Sequence, residues 1–248
     1  MADKTPTARP LGVIVPPREP AQPKHQVFEG QYVTLRPLEP SDADSLFPLL
    51  SGDDNAYLFD YLPYGPFPAD DKPAFQSFVA KQSASADPLY WAIVVKSFPP
   101  ASSAEEGKIL GWCSFLRITP AHRVVEVGDL LFSKSLQRTP AATEAIYLLA
   151  RYAFEGLKYR RLEWKCNDLN APSRRAAARL GFRYEGTFKK HMVVKGRNRD
   201  TAWFSVVEEE WEGGVRRALE MWLERGNFGK NGEQKRRLDE LRAEPTNE

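Results

Sequence analysis

Between Val124 and Gly181 the chain spells strand, loop, long helix, strand and short helix, and no other stretch restricts its fold as tightly. Val124 to Phe132 reads as a strand. Ala145, Ile146, Leu148, Leu149, Tyr152, Ala153 and Leu157 then recur at helical spacing. Arg161 to Cys166 is a second strand, and Pro172 to Leu180 a short Ala-rich helix that Gly181 ends. Upstream, Tyr32 to Leu38, Leu89 to Val95 and Ile109 to Ile118 read as strands. The last of these pairs with Val124 to Phe132 as a hairpin turning near Pro120-Ala121. One helix, capped by Ser41, runs to Leu50; another covers Ala74 to Ser83. Downstream, Phe188 to Val194 and Thr201 to Val207 form a closing hairpin around Gly196-Arg197-Asn198. Antiparallel pairs followed by a strand–helix–strand–helix block predict an α+β fold on one central sheet.

Composition narrows the partners. The 248 residues carry 35 Lys and Arg against 33 Asp and Glu, a formal net charge of +2. That balance gives no electrostatic case for nucleic acid as the main partner. A hydrophobic fraction of 42% suffices for a core, whereas a mean hydropathy of −0.50 argues against a membrane. No apolar run approaches the roughly 18 residues of a membrane span. Two cysteines cannot build a disulfide framework, and no Cys/His cluster has zinc spacing, so no metal is expected. Met1-Ala2-Asp3-Lys4 lacks the apolar core of a secretory signal, which makes a reducing, cytoplasmic location the expectation. Pro6, Pro10, Pro16, Pro17, Pro20 and Pro23 make the N-terminal stretch an extended arm, which Leu11 to Val15 could pin to the body. From Arg225 the charges alternate, as in a solvated helix or a frayed tail.

The loop from Leu131 to Ala145 carries the chemistry. Thr139 can cap the long helix and Pro140 fits its first position. Ala141 and Ala142 are too small to block approach. A helix start presents unpaired N–H groups and a partial positive charge, and Arg138 adds a full one. These residues describe either an ordinary capped helix or an anion seat suited to a pyrophosphate.

Four stretches together resemble a known family. Val125-Glu126-Val127-Gly128 with Leu130-Leu131-Phe132 looks like its fourth strand, and Gln137-Arg138-Thr139-Pro140-Ala141-Ala142 like its coenzyme loop. Asn170-Ala171-Pro172-Ser173 through Arg179-Leu180-Gly181-Phe182 matches its Asn-x-x-Ala/Ser helix ending in Gly-Phe. Gly196 to Thr201, with Phe204-Ser205 and Glu210-Trp211, matches the closing hairpin of one branch. The chain thus resembles the GNAT superfamily of acetyl-CoA-dependent N-acetyltransferases, in the branch related to the ribosomal-protein N-terminal acetyltransferases. The resemblance spans about residues 28–212, setting apart 1–27 as a Pro-rich arm and 213–248 as a C-terminal helix and charged tail.

The resemblance implies a single mixed, mostly antiparallel sheet with helices on both faces and its fourth and fifth strands splayed apart. It implies acetyl-CoA as co-substrate and an amine acceptor, a small molecule or a peptide or protein N-terminus, with direct transfer in a ternary complex. The pantetheine arm would lie along Leu130, Leu131 and Phe132. Gln137, Arg138, Thr139, Ala141, Ala142 and Thr143 would hold the pyrophosphate, with Pro140 removing one donor, and Asn170 would contact the coenzyme from the other side. Many relatives place a Tyr acid where this chain has Ala177; Ser173 takes the place of the donor proposed in the ribosomal-protein branch, or simply caps its helix. Glu126 is the candidate base, or a strand residue paired with Arg117 or Arg123. Asp129 would face the acceptor, and strand alternation sets it opposite to Glu126.

Other features leave alternatives open. The aromatic loop Tyr57 to Phe67 either packs on the core or lines the acceptor cleft through Tyr61 and Tyr64. His191 reads as structural, His25 and His122 as exposed, and Cys113 and Cys166 as small buried hydrophobes. Lys189, Lys190, Lys195, Arg197 and Arg199 make a basic hairpin, a solvated face or a steering patch. Rival readings are a longer acyl chain on CoA, a non-catalytic CoA- or partner-binding protein, and an RNA-associated factor. The oligomeric state is a monomer or a homodimer.

Overall fold

The computed structural model describes residues 9–19, 21–96 and 106–244. The first eight residues of the Pro-rich arm, Pro20 and the last four residues of the charged tail lie outside these. The strands are β1 (Phe28–Glu29), β2 (Val33–Pro37), β3 (Leu89–Val95), β4 (Ile109–Thr119), β5 (Val124–Phe132), β6 (Arg161–Asn167), β7 (Arg183–Val194) and β8 (Arg197–Val207). The helices are α1 (Asp42–Leu50), α2 (Lys72–Ser83), α3 (Pro140–Arg151), α4 (Ala171–Leu180), α5 (Glu208–Glu210), α6 (Arg216–Leu223) and α7 (Leu238–Ala243). The eight strands of the described residues join one sheet in the order β1-β2-β3-β4-β5-β6-β8-β7. Neighbours run antiparallel except β5 and β6, which are parallel because α3 carries the chain back between them. The fold is α+β with a mixed sheet, as the order of elements predicts.

A core lies on each face. On one, Val125 and Val127 of β5, Leu162 and Trp164 of β6 and Phe204 of β8 meet Ala145 and Leu149 of α3. On the other, Tyr90, Trp112 and Leu131 meet Leu46 and Leu50 of α1 and Phe75 and Val79 of α2. Each fully buried Val, Leu or Phe among them contributes about 1.5–3 kcal/mol. Leu219 and Trp222 of α6 and Leu238 and Leu241 of α7 join the first core, so the charge-rich end of the chain turns its leucines inward.

Local chemistry accounts for the element ends. Thr139 Oγ1 accepts the Ala142 N–H at 3.1 Å and Pro140 opens α3. Asn170 Oδ1 accepts the Ser173 N–H at 3.1 Å to start α4, and Gly181 closes it at φ 100°. Ser41 makes no cap bond; its backbone is already helical, and the Asp42 carboxylate takes the Glu39 N–H and the Arg36 guanidinium instead. Helix α2 starts before Ala74, at Lys72, because Asp71 caps it. Strands β7 and β8 extend past their apolar cores to a tight turn at Lys195-Gly196, both residues at positive φ.

The arm docks differently from expectation. Leu11, Val13 and Ile14 are 91%, 87% and 94% exposed and pin nothing. Backbone groups further on do the work. The Ala21 carbonyl accepts from Tyr159 Oη at 2.7 Å, and the Gln26 carbonyl from Trp91 Nε1 at 3.0 Å. His25, expected to be exposed, is exposed, and its ring also lies 3.0 Å from the Tyr90 carbonyl and packs edge-on against Trp91.

Candidate active site

Two irregularities in β5 open a cleft. Its pairing with β6 runs through Val124↔Arg161, Val125↔Leu162 and Glu126↔Glu163 and then stops. Beyond Glu126 the two strands diverge. In the same stretch Gly128 sits opposite Ser114 and Leu131 opposite Trp112, so β5 carries one residue more than β4. This is a β-bulge, and Asp129 turns through it at φ 47°. Gly111 lets the strands close beside it, since a Cβ there would lie 2.2 Å from the Leu131 carbonyl oxygen.

At the open end of the gap the loop turns into α3. Arg138 stands at φ 61°, with its side chain exposed. Among the described residues, the amides of Arg138, Thr139 and Ala141 have no acceptor. Those of Ala142 and Thr143 do: Thr139 takes both, through Oγ1 at 3.1 Å and through its carbonyl at 3.4 Å. The run of free amides is therefore shorter than the sequence suggests. Gln137 turns inward, donating from Nε2 to the Phe132 carbonyl at 3.0 Å and tying the loop to the strand end. The Thr143 hydroxyl accepts from Arg179 at 3.1 Å. Leu131 points into the α1/α2 core, while Leu130 and Phe132 pack on the opposite one.

Across the gap, Asn170 and Ser173 begin α4. Asn170 is the cap, so Ser173 is not; the Ser173 hydroxyl accepts from Trp164 Nε1 at 3.0 Å. It also lies within bonding reach of Cys166, whose thiol burial pushes up. Ala177 is fully buried.

The two candidate carboxylates share a face, which corrects the alternation rule. Glu126 and Asp129 are three apart and would point oppositely in a regular strand. The bulge inserts a residue and restores them to one side. Tyr90, Ser114 and Gly128 lie in one row, and a Cβ on Gly128 would be 3.1 Å from Glu126 Oε1. Asp129 reaches the same row, accepting from both Tyr64 Oη and Tyr90 Oη. Burial raises the Asp129 carboxyl above the ordinary range, with the two hydroxyls pulling the other way. Burial and the adjacent carboxylate raise both phenols, so they stay protonated donors. Glu126 is 3% exposed and paired with Arg117 at 2.5 Å and Lys165 at 3.1 Å. Burial raises it; Arg117 and Lys165 oppose that.

The rim comes from three loops. Tyr61 Oη donates to the Leu169 carbonyl at 3.2 Å, just past β6. Lys195, at the tip of the β7–β8 hairpin, donates to the Phe59 carbonyl at 2.9 Å. Residues Asp53–Phe59 form a 3₁₀ segment in which Phe59 is fully buried, so the aromatic loop both packs on the core and borders the cleft. The structure thus joins Tyr64 to Asp129 and brings Tyr61 to the β6 end. Sequence reasoning missed Tyr90 and Lys165. Tyr90 stands inside an apolar strand, where nothing marks its hydroxyl; the alternation of Arg161, Glu163 and Lys165 along β6 was the available signal for the other.

The profile of the acetyltransferase (GNAT) domain matches residues 33–183. The crystal structure of a GCN5-related N-acetyltransferase from Brucella melitensis is 43% identical, covers 90% of this chain and 96% of its own, and gives a TM-score of 0.82. A GNAT-family structure from Chromobacterium violaceum is 38% identical with a TM-score of 0.71, over 84% of this chain and 98% of its own. YdaF of Bacillus subtilis, provisionally named a ribosomal N-acetyltransferase, is 26% identical over 74% of this chain and 96% of its own. By its matched domain, its splayed strands and its relatives, the chain belongs to the GNAT acetyltransferase family.

Proposed function

We propose that the protein moves the acetyl group of acetyl-CoA to a primary amine by direct transfer in a ternary complex. The observation that carries this reading is the gap beyond Glu126↔Glu163 leading to a helix start with free amides at Arg138, Thr139 and Ala141. Those amides and the Arg138 guanidinium take the pyrophosphate. The pantetheine arm lies along Leu130 to Phe132, and Asn170 and Ser173 face it across the gap.

The neutral amine attacks the thioester carbon, the oxyanion collapses, and the C–S bond breaks to leave a thiolate. Asp129 takes the ammonium proton: it has no cationic partner among the described residues, and Tyr64 and Tyr90 hold it in place. Glu126, neutralised by Arg117 and Lys165, is the weaker base and positions the strand. Ser173 donates its hydroxyl proton in a hydrogen bond to the thiolate. Its acceptance of the Trp164 N–H polarises that O–H and strengthens the donation.

Amine-dependent release of free CoA, followed across a panel of amines, tests the reading. Intersecting initial-velocity lines and CoA release that needs the amine are expected. Release without amine, or parallel lines, contradicts direct transfer. Tight CoA binding with no release for any amine would favour a binding protein instead. Asp129→Asn is expected to cut kcat/KM on the order of 100-fold, and Glu126→Gln much less.

A further inference from the structure

One face of the sheet, beside the cleft, carries a charge ladder that closes on itself except at two residues. Glu126, Glu163, Glu185 and Asp129 supply the negative charges; Arg117, Lys165, Arg161 and Arg199 supply the positive ones. Arg117 pairs with Glu126 at 2.5 Å, and Lys165 bridges Glu126 and Glu163 at 3.1 and 2.7 Å. Arg161 bridges Glu163 and Glu185 at 2.8 and 2.5 Å. Asp129 and Arg199 remain, and among the described residues neither has an opposite charge bonded to it.

Both are held in place by neutral groups. Asp129 is fixed by Tyr64 and Tyr90 on the β5 side of the cleft. Arg199 is fixed on β8, its Nε donating to Thr201 Oγ1 at 3.2 Å. Alternation puts Arg199 on the same face as Thr201 and Trp203, and Trp203 lies 3.8 Å beneath the Lys165 ammonium. Arg199 is half-buried. The β6–β8 pairing ends at Asn167↔Thr201, so Arg199 stands two residues past the end of β6, on the face that carries Glu163 and Lys165, and burial disfavours its charge. A buried charge without a partner is costly, and a ligand of opposite charge relieves that cost.

We propose that the acceptor is a zwitterion, an amine that also carries a carboxylate, with its ammonium received by Asp129 and its carboxylate by Arg199. The assignment rests on the acetyl-transfer reading above. A monoamine leaves Arg199 unanswered, and a dianion leaves Asp129 repelled. The carboxylate belongs either to a free amino acid or to an acidic side chain next to a peptide N-terminus, and the probes below separate these.

Calorimetric titration of the full chain saturated with CoA provides the test. The probes are free amino acids, their amides, their des-amino analogues, and dipeptides with Asp or Asn in second place. At least one free amino acid is expected to bind on the order of 10-fold more tightly than its amide and its des-amino analogue. Preference confined to the Asp dipeptides supports the site and puts the carboxylate on a side chain. Arg199→Gln is expected to bring the acid-to-amide ratio to about 1 and Arg199→Lys to keep part of it. Arg197→Gln, exposed in the same hairpin, keeps the ratio and controls for a disturbed turn. Equal binding of acids and amides, no binding in any arm, or a ratio that survives Arg199→Gln overturns the proposal. Because every readout is binding, a preserved preference without acetyl transfer counts against the transferase reading alone.

Discussion

Tyr90, Ala92 and Trp112 of β3 and β4 present an apolar layer to Leu46, Phe75 and Val79 of α1 and α2. On the same face beyond β5, strands β6 and β8 present Glu163, Lys165, Trp203 and Ser205, bound by ion pairs and a ring stack. One half of the sheet is closed by burial; the other is held by charges that must each find a partner. The contrast teaches where a ligand can enter. An apolar layer offers a charged group no counter-ion, whereas a charge ladder leaves its ends open, and Asp129, held by Tyr64 and Tyr90, stands at the seam between the two.

If the halves differ in this way, core truncation and ladder truncation will behave differently. Phe75→Ala removes a fully buried ring and is expected to cost about 4 kcal/mol in urea unfolding. A cost below about 1 kcal/mol would mean that α2 is not part of the closed half. Lys165→Met leaves Glu126 and Glu163 facing each other without their shared cation, at an expected cost of about 3 kcal/mol. Salt should soften that loss little, since the pair is buried; strong salt relief would make the ladder a surface feature. Ser173→Ala, on the opposite face, is expected to lower turnover several-fold while acetyl-CoA affinity stays near wild type. Equal turnover would remove Ser173 from the chemistry.

The smallest effect separates Asp129 from its neighbours by pH. Its carboxyl lies above the ordinary aspartate value in the folded protein. Folding therefore favours the protonated form, and this contribution to stability is full below the unfolded value and lost as pH rises through the folded one. Asp129→Asn, neutral throughout, should gain in Tm over wild type as pH rises across that window and show no gain below it. In kinetics the same shift moves the acid limb of kcat/KM up from the ordinary aspartate range, and the limb disappears in Asp129→Asn. An unmoved limb would return the base role to Glu126.

Much of the fold was written locally. Thr139-Pro140 opens α3 and Asn170 opens α4 because a cap needs only its own next turn. Leu89–Val95 reads as a strand and is one. The turn from β5 into α3 was legible for the same reason. The other wall of the cleft was not. The bulge at Asp129 depends on β4 running beside it, so alternation set Asp129 and Glu126 apart where the structure puts them together. Tyr90 owes its role to the end of a side chain two strands away from Asp129. The hairpin's polar extension from Arg183 to Val194 carries no apolar period, since most of its length is exposed. Ser41 failed as a cap because Asp42, one residue on, competes for the same turn.

Everything on the acceptor side presumes that the coenzyme docks where β5 gives way to α3, and calorimetric titration with coenzyme A tests that docking most directly. Wild type is expected to bind one equivalent, and Arg138→Glu, on an exposed side chain, to weaken binding at least about 10-fold, or roughly 1.4 kcal/mol, with unfolding unchanged. A flat wild-type titration, or an Arg138→Glu affinity equal to wild type, would contradict it.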